Sequence, residues 1–95
     1  MSKEEIKILL VDDEKQFVDT LAERLAMRGF SARVAYDGPQ ALKAVEEPTD
    51  VIVLDLRMPG MDGFEVLRSV KKSNPQVQVI ILTGHGGDAE EQTAY

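Results

Sequence analysis

The sequence predicts an α/β fold, a doubly wound parallel sheet with strands in the order 2-1-3-4. Short apolar segments alternate along the 95 residues with segments whose apolar residues recur every three to four positions, which is typical of βαβ units. The connections are short, so each helix should cross the sheet and leave the strands parallel, with helices on both faces. We expect a single domain over residues 1–95.

The first strand and first helix are predicted near the N-terminus. The β-branched and apolar run 6–11 predicts the strand. Asp13 is placed to cap the following helix, with Gln16 three residues on, and Gly29 is placed to end it. The apolar residues that recur at helical spacing between them are Phe17, Val18, Leu21, Ala22 and Leu25.

The second strand and second helix follow. Residues 30–35 alternate polar and apolar side chains, which suits an edge strand. Asp37 can cap the next helix, with Pro39 in its first turn and Gln40 three residues after the cap. Pro48 is placed to stop that helix.

The second half of the chain repeats the pattern. Residues 51–54 predict a third strand, buried on both faces, and the carboxylate of Asp55 ends it. Asp62 can cap a third helix that ends at 74–75, and residues 77–83 predict the fourth strand. A fourth helix could begin at Asp88. The predicted inward residues of the third helix are Phe64, Leu67 and Val70.

Polar residues end three of the predicted strands. Asp12 and Asp13 follow the first, Asp55 ends the third and Thr83 ends the fourth. The carboxyl ends of parallel strands share one edge, where open α/β sheets bind ligands. Carboxylates brought together there repel each other unless a hard cation joins them, and Mg²⁺ prefers such ligands. An aspartate beside Mg²⁺ can act as the nucleophile in phosphoryl transfer.

Each of these residues also has a purely structural interpretation. Asp13 alone is equally well explained as a helix cap, whereas Thr83 alone is better explained as a β-former than as a ligand. His85 is better explained as an exposed loop residue than as a base. Asp55 is harder to explain structurally, because a carboxylate after four apolar residues is costly unless it is paired or hydrated.

Composition excludes several classes of function. Seventeen acidic against 11 basic residues give a net charge of −6, so neither nucleic acid nor an anionic membrane is expected as a direct partner. The absence of cysteine excludes disulfides and thiolate sites, and fits a cytoplasmic location. No apolar run is long enough to span a bilayer, and the charged N-terminus does not resemble a signal peptide.

Three motifs together make the chain resemble the receiver domain of bacterial two-component response regulators. They are the pair Asp12-Asp13, the run 55–65, and Thr83 followed by Gly84. The run reads Asp-Leu-Arg-Met-Pro-Gly-Met-Asp-Gly-Phe-Glu and is highly specific. The resemblance covers nearly the whole chain and implies a flavodoxin-like receiver fold.

The resemblance also implies a role for each site residue. Asp55 would accept a phosphoryl group from a sensor histidine kinase or a phosphotransfer protein. Thr83 would contact the phosphoryl oxygens and signal occupancy. The implied Mg²⁺ ligands are Asp12, Asp13, Asp55 and the backbone carbonyl of Arg57. The domain would be a regulatory phosphoacceptor, not an enzyme beyond its own phosphorylation and dephosphorylation.

One departure from the family concerns the C-terminal end. Receivers have a fifth strand that ends in a lysine, followed by a fifth helix, but no lysine follows Lys72 here. We therefore expect a receiver truncated at its C-terminus, with an impaired output switch. The strand at 77–82 would then be an exposed apolar edge, so self-association is expected.

Two other functions are compatible with these residues. One is a non-signalling assembly module that keeps the scaffold and self-associates through the edge of the fourth strand. The other is an aspartate-nucleophile phosphohydrolase. That class ordinarily carries a second aspartate two residues after the nucleophile, and Arg57 stands at that position, so this function is the least favoured.

Overall fold

The computed structural model describes residues 5–56 and 63–82. Within them, four strands alternate with three helices. The strands are β1 (Lys7–Val11), β2 (Ser31–Ala35), β3 (Val51–Asp55) and β4 (Gln78–Leu82), and the helices are α1 (Lys15–Met27), α2 (Gly38–Ala44) and α3 (Gly63–Ser73). All three strand pairs are parallel, in the order β2-β1-β3-β4. The predicted sheet and its strand order are confirmed.

The sheet buries both of its faces. Along β1, Leu9 and Val11 pack into the cluster that contains α2 and α3, whereas Ile8 and Leu10 pack into the cluster under α1. This alternation follows from the two-residue period of a strand. Helices therefore lie on both faces, as the doubly wound prediction requires.

Helix α1 packs on the sheet with four of its five predicted inward residues, and Phe17 is the exception. Val18 is fully buried, and Leu21 and Leu25 pack beside it in the same cluster. Phe17 is 48% exposed, so its predicted place on the inward face is wrong. Each residue turns a helix by about 100°, so the stripe that begins at Val18 carries Phe17 toward solvent.

The end of α1 is formed as the sequence predicts. Gly29 has a φ of 95°, in the left-handed region that favours glycine. Its N–H donates to the Ala26 carbonyl (3.1 Å), and the Phe30 N–H donates to the Leu25 carbonyl (3.1 Å). These two bonds are those of a Schellman motif, which turns the chain into β2.

Helix α2 begins where predicted but ends earlier. The Asp37 carboxylate accepts the Gln40 N–H at 2.8 Å, which confirms the cap. The helix ends at Ala44, not at Pro48, because tighter turns replace it. The Arg33 guanidinium fixes this end by donating to the Ala44 carbonyl (2.9 Å) and the Thr49 hydroxyl (2.8 Å).

Helix α3 packs Leu67 and Val70 into the core as expected, buries Val66 as well, and leaves Phe64 outside. Val66 and Val70 are buried and Leu67 packs against the same cluster, but Phe64 is 52% exposed. The inward position predicted for Phe64 is therefore wrong. The helix ends before Pro75, as predicted. The predicted cap Asp62 and the predicted helix at Asp88 lie outside the described residues.

The amino edge of the sheet is joined through Asp50. Its carboxylate accepts the Lys7 N–H at 2.8 Å, and its own N–H donates to the Lys7 carbonyl at 2.8 Å. The Asp50 carbonyl accepts the Gln78 N–H at 3.0 Å. One aspartate thus joins the starts of β1, β3 and β4, at the edge opposite to the predicted site.

Candidate functional site

Three carboxylates meet at the carboxyl edge of the sheet. Parallel pairing sets Val11 beside Leu54, so the residues that follow them, Asp12 and Asp55, leave adjacent strands side by side. Together with Asp13, they can each offer one carboxylate oxygen such that all three atoms lie within 4.8 Å of one another. The convergence of these three residues, predicted from the strand ends, is observed.

Asp12 is held in place by bonds on both sides. Its N–H donates to the Ala35 carbonyl of β2 at 3.1 Å, which extends the sheet by one residue. Its carboxylate accepts the Glu14 N–H at 2.9 Å. The side chain is only 8% exposed. Asp12 therefore closes the turn between β1 and α1, and the other lone pairs of its carboxylate can still bind a ligand at the site.

Asp13 has a different role in the turn from the one that its sequence suggests. Helix α1 begins at Lys15 with Glu14 at the N-cap position, and no side chain caps it. The prediction that Asp13 caps this helix is therefore wrong. The helix starts later than predicted, so Asp13 lies one residue before the N-cap, in a turn that the Asp12 carboxylate closes by accepting the Glu14 N–H. Asp13 is exposed and leaves its carboxylate directed at the cluster with Asp12 and Asp55.

Asp55 ends β3 in a nearly buried position. It is 9% exposed and follows Leu54, which is 1% exposed. In the sheet it pairs with Leu82, the last residue of β4. Strand pairing on both sides therefore fixes the backbone from which its carboxylate extends.

Three residues considered in the sequence lie outside the described part of the chain. Arg57, predicted to offer its backbone carbonyl, and Thr83, predicted to contact a phosphoryl group, both lie outside the described residues, as does His85. Their predicted roles stay predictions.

A group next to the site was missed in the sequence. The Tyr36 hydroxyl donates to the Asp19 carboxylate at 2.7 Å, and the Lys15 ammonium lies 5.1 Å from the centre of the Tyr36 ring. The hydrogen bond to Asp19 is the main cause that raises the pKa of Tyr36, with desolvation and the Asp19 charge adding to it. The only available signal was that an aromatic residue follows β2 directly before the Asp37 cap.

The chemistry of the carboxylate cluster fits a hard divalent cation. Three carboxylate groups within 4.8 Å supply the oxygen donors that Mg²⁺ and Ca²⁺ prefer, and no softer ligand is among them. Mg²⁺ takes few protein ligands and keeps several waters. The combination of the nearly buried Asp12 and the exposed Asp13 suits such a partly hydrated ion.

Comparison with known proteins assigns the family. The family model of the response regulator receiver domain matches residues 8–95. This chain belongs to the response regulator receiver family. Receiver domains are the regulatory phosphoacceptor modules of two-component systems, so the coarse function predicted from the sequence is confirmed.

Individual relatives agree with this assignment. The transcriptional regulatory protein CpxR of Escherichia coli K12 is 39% identical over 84 residues, which is 88% of this receiver chain and 36% of that protein. The chain thus spans about a third of the length of that relative. The Thermotoga maritima response regulator TrrA, solved in complex with Mg²⁺-BeF, is 34% identical, with a TM-score of 0.76 over 85% of this chain and 71% of its own.

A further solved structure bears on the site. A Burkholderia pseudomallei response regulator, solved with a phosphorylated aspartic acid, a calcium ion and citrate, has a TM-score of 0.80 and 29% identity. The match covers 86% of this receiver and 49% of that chain.

Among the described residues of our receiver, no helix combines the length and apolar character needed to cross a bilayer.

Proposed function

We propose that this receiver accepts a phosphoryl group on Asp55, with Mg²⁺ bound beside it. The observation that supports the proposal is the cluster of carboxylate oxygens from Asp12, Asp13 and Asp55 within 4.8 Å. The phosphorylated aspartic acid of the Burkholderia relative supports the same chemistry. The whole of residues 1–95 would act as a single receiver domain.

Asp55 is the best candidate for the nucleophile. It extends from a strand paired on both sides, so its carboxylate starts from a fixed backbone position. One carboxylate oxygen would attack the phosphorus of a phosphohistidine. The new O–P bond of an acyl phosphate forms as the N–P bond breaks, and the histidine departs with the bonding pair and takes up a proton.

Asp12, Asp13 and Asp55, with the backbone carbonyl of Arg57, would hold the metal. When bound, Mg²⁺ supplies positive charge that offsets the negative charge of the phosphoryl oxygens. Asp12 would bind the ion from a fixed position, since the Ala35 carbonyl and the Glu14 N–H hold it. Thr83 follows Leu82, the partner of Asp55 in the sheet, and would contact the phosphoryl oxygens.

The proposed phosphoryl donor is a sensor histidine kinase or a phosphotransfer protein. A net charge of −6 disfavours direct binding to nucleic acid or to an anionic membrane. A cytoplasmic location stays part of this proposal, since the donor histidine has to reach the site.

Treatment with a small acyl-phosphate donor and Mg²⁺, followed by intact mass, tests the proposal. The expected result is a gain of one phosphoryl group that Asp55→Asn abolishes. Asp50→Asn is the matched control, because Asp50 lies at the other end of the same strand and asparagine keeps an oxygen for the Lys7 N–H. The gain should survive in this control. Absence of any gain at saturating donor and Mg²⁺ would contradict the proposal.

A second candidate function is self-association of the chain. On the α1 face, Val51 and Val53 are only half-buried, and Ile80, paired with Val53 in the sheet, is 47% exposed. Within the described residues, β4 has a strand neighbour on one side only. An apolar strand with such an edge can pair with another copy.

Sedimentation velocity over a range of protein concentrations tests this second function. Concentration-dependent association that Ile80→Lys weakens is expected. Met27→Lys is the control, because Met27 is 82% exposed on α1, which packs chiefly on β2 and β1 at the other side of the sheet from β4. A monomer at every concentration would exclude self-association and leave the phosphoacceptor function untouched.

A further inference from the structure

The turn that carries two of the proposed metal ligands is tied to the end of β2. We call residues 12–15 the acidic turn. At its start, the Asp12 N–H donates to the Ala35 carbonyl at 3.1 Å. At its end, the Lys15 ammonium lies 5.1 Å from the ring centre of Tyr36, the residue that follows Ala35. Two successive residues of one strand end therefore contact the two ends of the acidic turn.

Tyr36 is itself held from two helices. Its hydroxyl donates to the Asp19 carboxylate of α1 at 2.7 Å. Its backbone N–H donates to the side-chain carbonyl of Gln40 in α2 at 2.9 Å. Its ring also packs against the apolar cluster under α1. A side chain held at its backbone and at its hydroxyl offers Lys15 a ring face in a defined position.

These contacts connect the residues on either side of Asp13 to the end of β2. Asp12 binds Ala35 through its N–H and Glu14 through its carboxylate, and Lys15, next to Glu14, contacts Tyr36. Asp13 lies between these contacts, and its side chain makes no capping hydrogen bond to α1 that would fix the turn. Its position thus depends on the residues on either side of it.

We propose that Tyr36 is a positioning residue for the metal site, which holds the acidic turn through Asp19 and Lys15 so that Asp12 and Asp13 face Asp55. The inference rests on the proposed function, because it assigns Tyr36 a role toward the cation of that site. It has a reciprocal consequence. If the Tyr36 contacts favour the turn that binds Mg²⁺, then bound Mg²⁺ must favour the Tyr36 contacts by the same factor.

Mg²⁺ affinity, measured by titration calorimetry, tests the positioning role. Tyr36→Leu, which removes both the ring face and the hydroxyl, should weaken Mg²⁺ binding roughly two- to tenfold. Tyr36→Phe keeps the ring and should weaken Mg²⁺ binding less than Tyr36→Leu does. Lys15→Met removes the cation from the ring face, so its loss of Mg²⁺ affinity should match the difference between the two Tyr36 variants.

The control separates positioning from general loss of stability. Asp50→Ala removes the acceptor of the Lys7 N–H at the opposite edge of the sheet and should destabilise the fold without changing Mg²⁺ affinity. Urea unfolding of each variant gives the stability for comparison. An unchanged affinity in Tyr36→Leu, or an equal loss of affinity in an equally destabilised Asp50→Ala, would overturn the inference.

Tyrosine fluorescence provides a readout that a merely structural role would not move. The chain has two tyrosines and no tryptophan, so Tyr95→Phe leaves Tyr36 as the sole emitter. Its emission should change with Mg²⁺ at the calorimetric midpoint, and Asp13→Asn should remove the change. Flat Tyr36 emission across a titration that saturates the Mg²⁺ site would overturn the inference about Tyr36 and leave the proposed metal site standing. If calorimetry detects no Mg²⁺ binding at all, the proposed metal site fails, and the inference fails with it.

Discussion

At the scale of single residues, the two adjacent aspartates of the acidic turn differ in what they do for the fold. Asp12 is 8% exposed and accepts the Glu14 N–H, whereas Asp13 is exposed and its carboxylate does not cap α1. Both add negative charge to a cluster within 4.8 Å. Asp12 therefore serves structure and site together, whereas Asp13 costs the metal-free fold electrostatic repulsion.

Neutralising Asp13 should stabilise the chain when no metal is present. Asp13→Asn is expected to raise the free energy of unfolding in chelator by up to about 1 kcal/mol, because it removes one charge of the cluster. Asp12→Ala also removes a charge but leaves the Glu14 N–H without its acceptor, which costs about 1 kcal/mol. It should therefore stabilise less or destabilise. Urea unfolding in chelator measures both, and a loss of stability in Asp13→Asn would contradict the expectation.

The bond between Tyr36 and Asp19 predicts a stability change at alkaline pH. The Asp19 carboxylate accepts the phenol proton and so raises the pKa of Tyr36 in the folded chain. Stability from this bond is fully present below the unfolded tyrosine pKa of about 10, and is lost as pH rises through the higher folded value. Asp19→Asn should lower the midpoint of phenolate formation, followed by ultraviolet absorbance in a Tyr95→Phe background. An unchanged midpoint would show that the bond does not form in solution.

At the scale of elements, the start of α3 is fixed against the end of β3 by a glycine. A Cβ atom added to Gly63 would lie 2.6 Å from the Leu56 Cα and 3.0 Å from its carbonyl oxygen. Leu56 directly follows Asp55, so this contact sets the path of the chain as it leaves the proposed acceptor. The close approach requires glycine at this position, although the φ of Gly63 is not positive and its backbone would by itself accept other residues.

Gly63→Ala should destabilise the chain although alanine favours helices. Helix propensity alone would gain up to about 1 kcal/mol, but the contact with backbone atoms of Leu56 costs about 1–3 kcal/mol and cannot be relieved by a rotamer change. A net loss and weaker Mg²⁺ binding are expected in urea unfolding and calorimetry. Ser69→Ala, at an exposed position of the same helix, is the control and should change stability by no more than about 0.5 kcal/mol. A gain of stability in Gly63→Ala would contradict the steric argument.

The elements also show which features local sequence determines. Gly29 and Asp37 were assigned correctly because a Schellman turn and a side-chain cap involve residues within a few positions. The inward positions of Phe17 and Phe64 were wrong because each lies at the margin of its apolar stripe, and how far the sheet covers that margin is not fixed by spacing alone. Asp12 and Asp55 were found since topology brings strand ends together, whereas the bond from Tyr36 to Asp19 joins residues 17 apart and leaves no local pattern.

At the scale of the whole molecule, acidic charge and the carboxylate cluster favour cations in two different ways. A net charge of −6 gives a diffuse repulsion, which any salt screens over roughly 10 Å at moderate ionic strength. The cluster of Asp12, Asp13 and Asp55 is a local set of oxygen donors that only a fitting ion can join. The two contributions are separable, because they depend differently on ion type and concentration.

Mg²⁺ should therefore stabilise the receiver beyond what its ionic strength explains. Binding to the folded state alone adds about 1.4 kcal/mol for each tenfold rise in free Mg²⁺ above the dissociation constant, without a plateau. NaCl at equal ionic strength should give a smaller rise that levels off as repulsion is screened. Urea unfolding across both titrations measures the difference. In Asp13→Asn, the Mg²⁺ curve should approach the NaCl curve, because the site has lost a ligand while the net charge has changed by only one. Coincident curves for the unaltered chain would mean that its carboxylate cluster acts only through its charge.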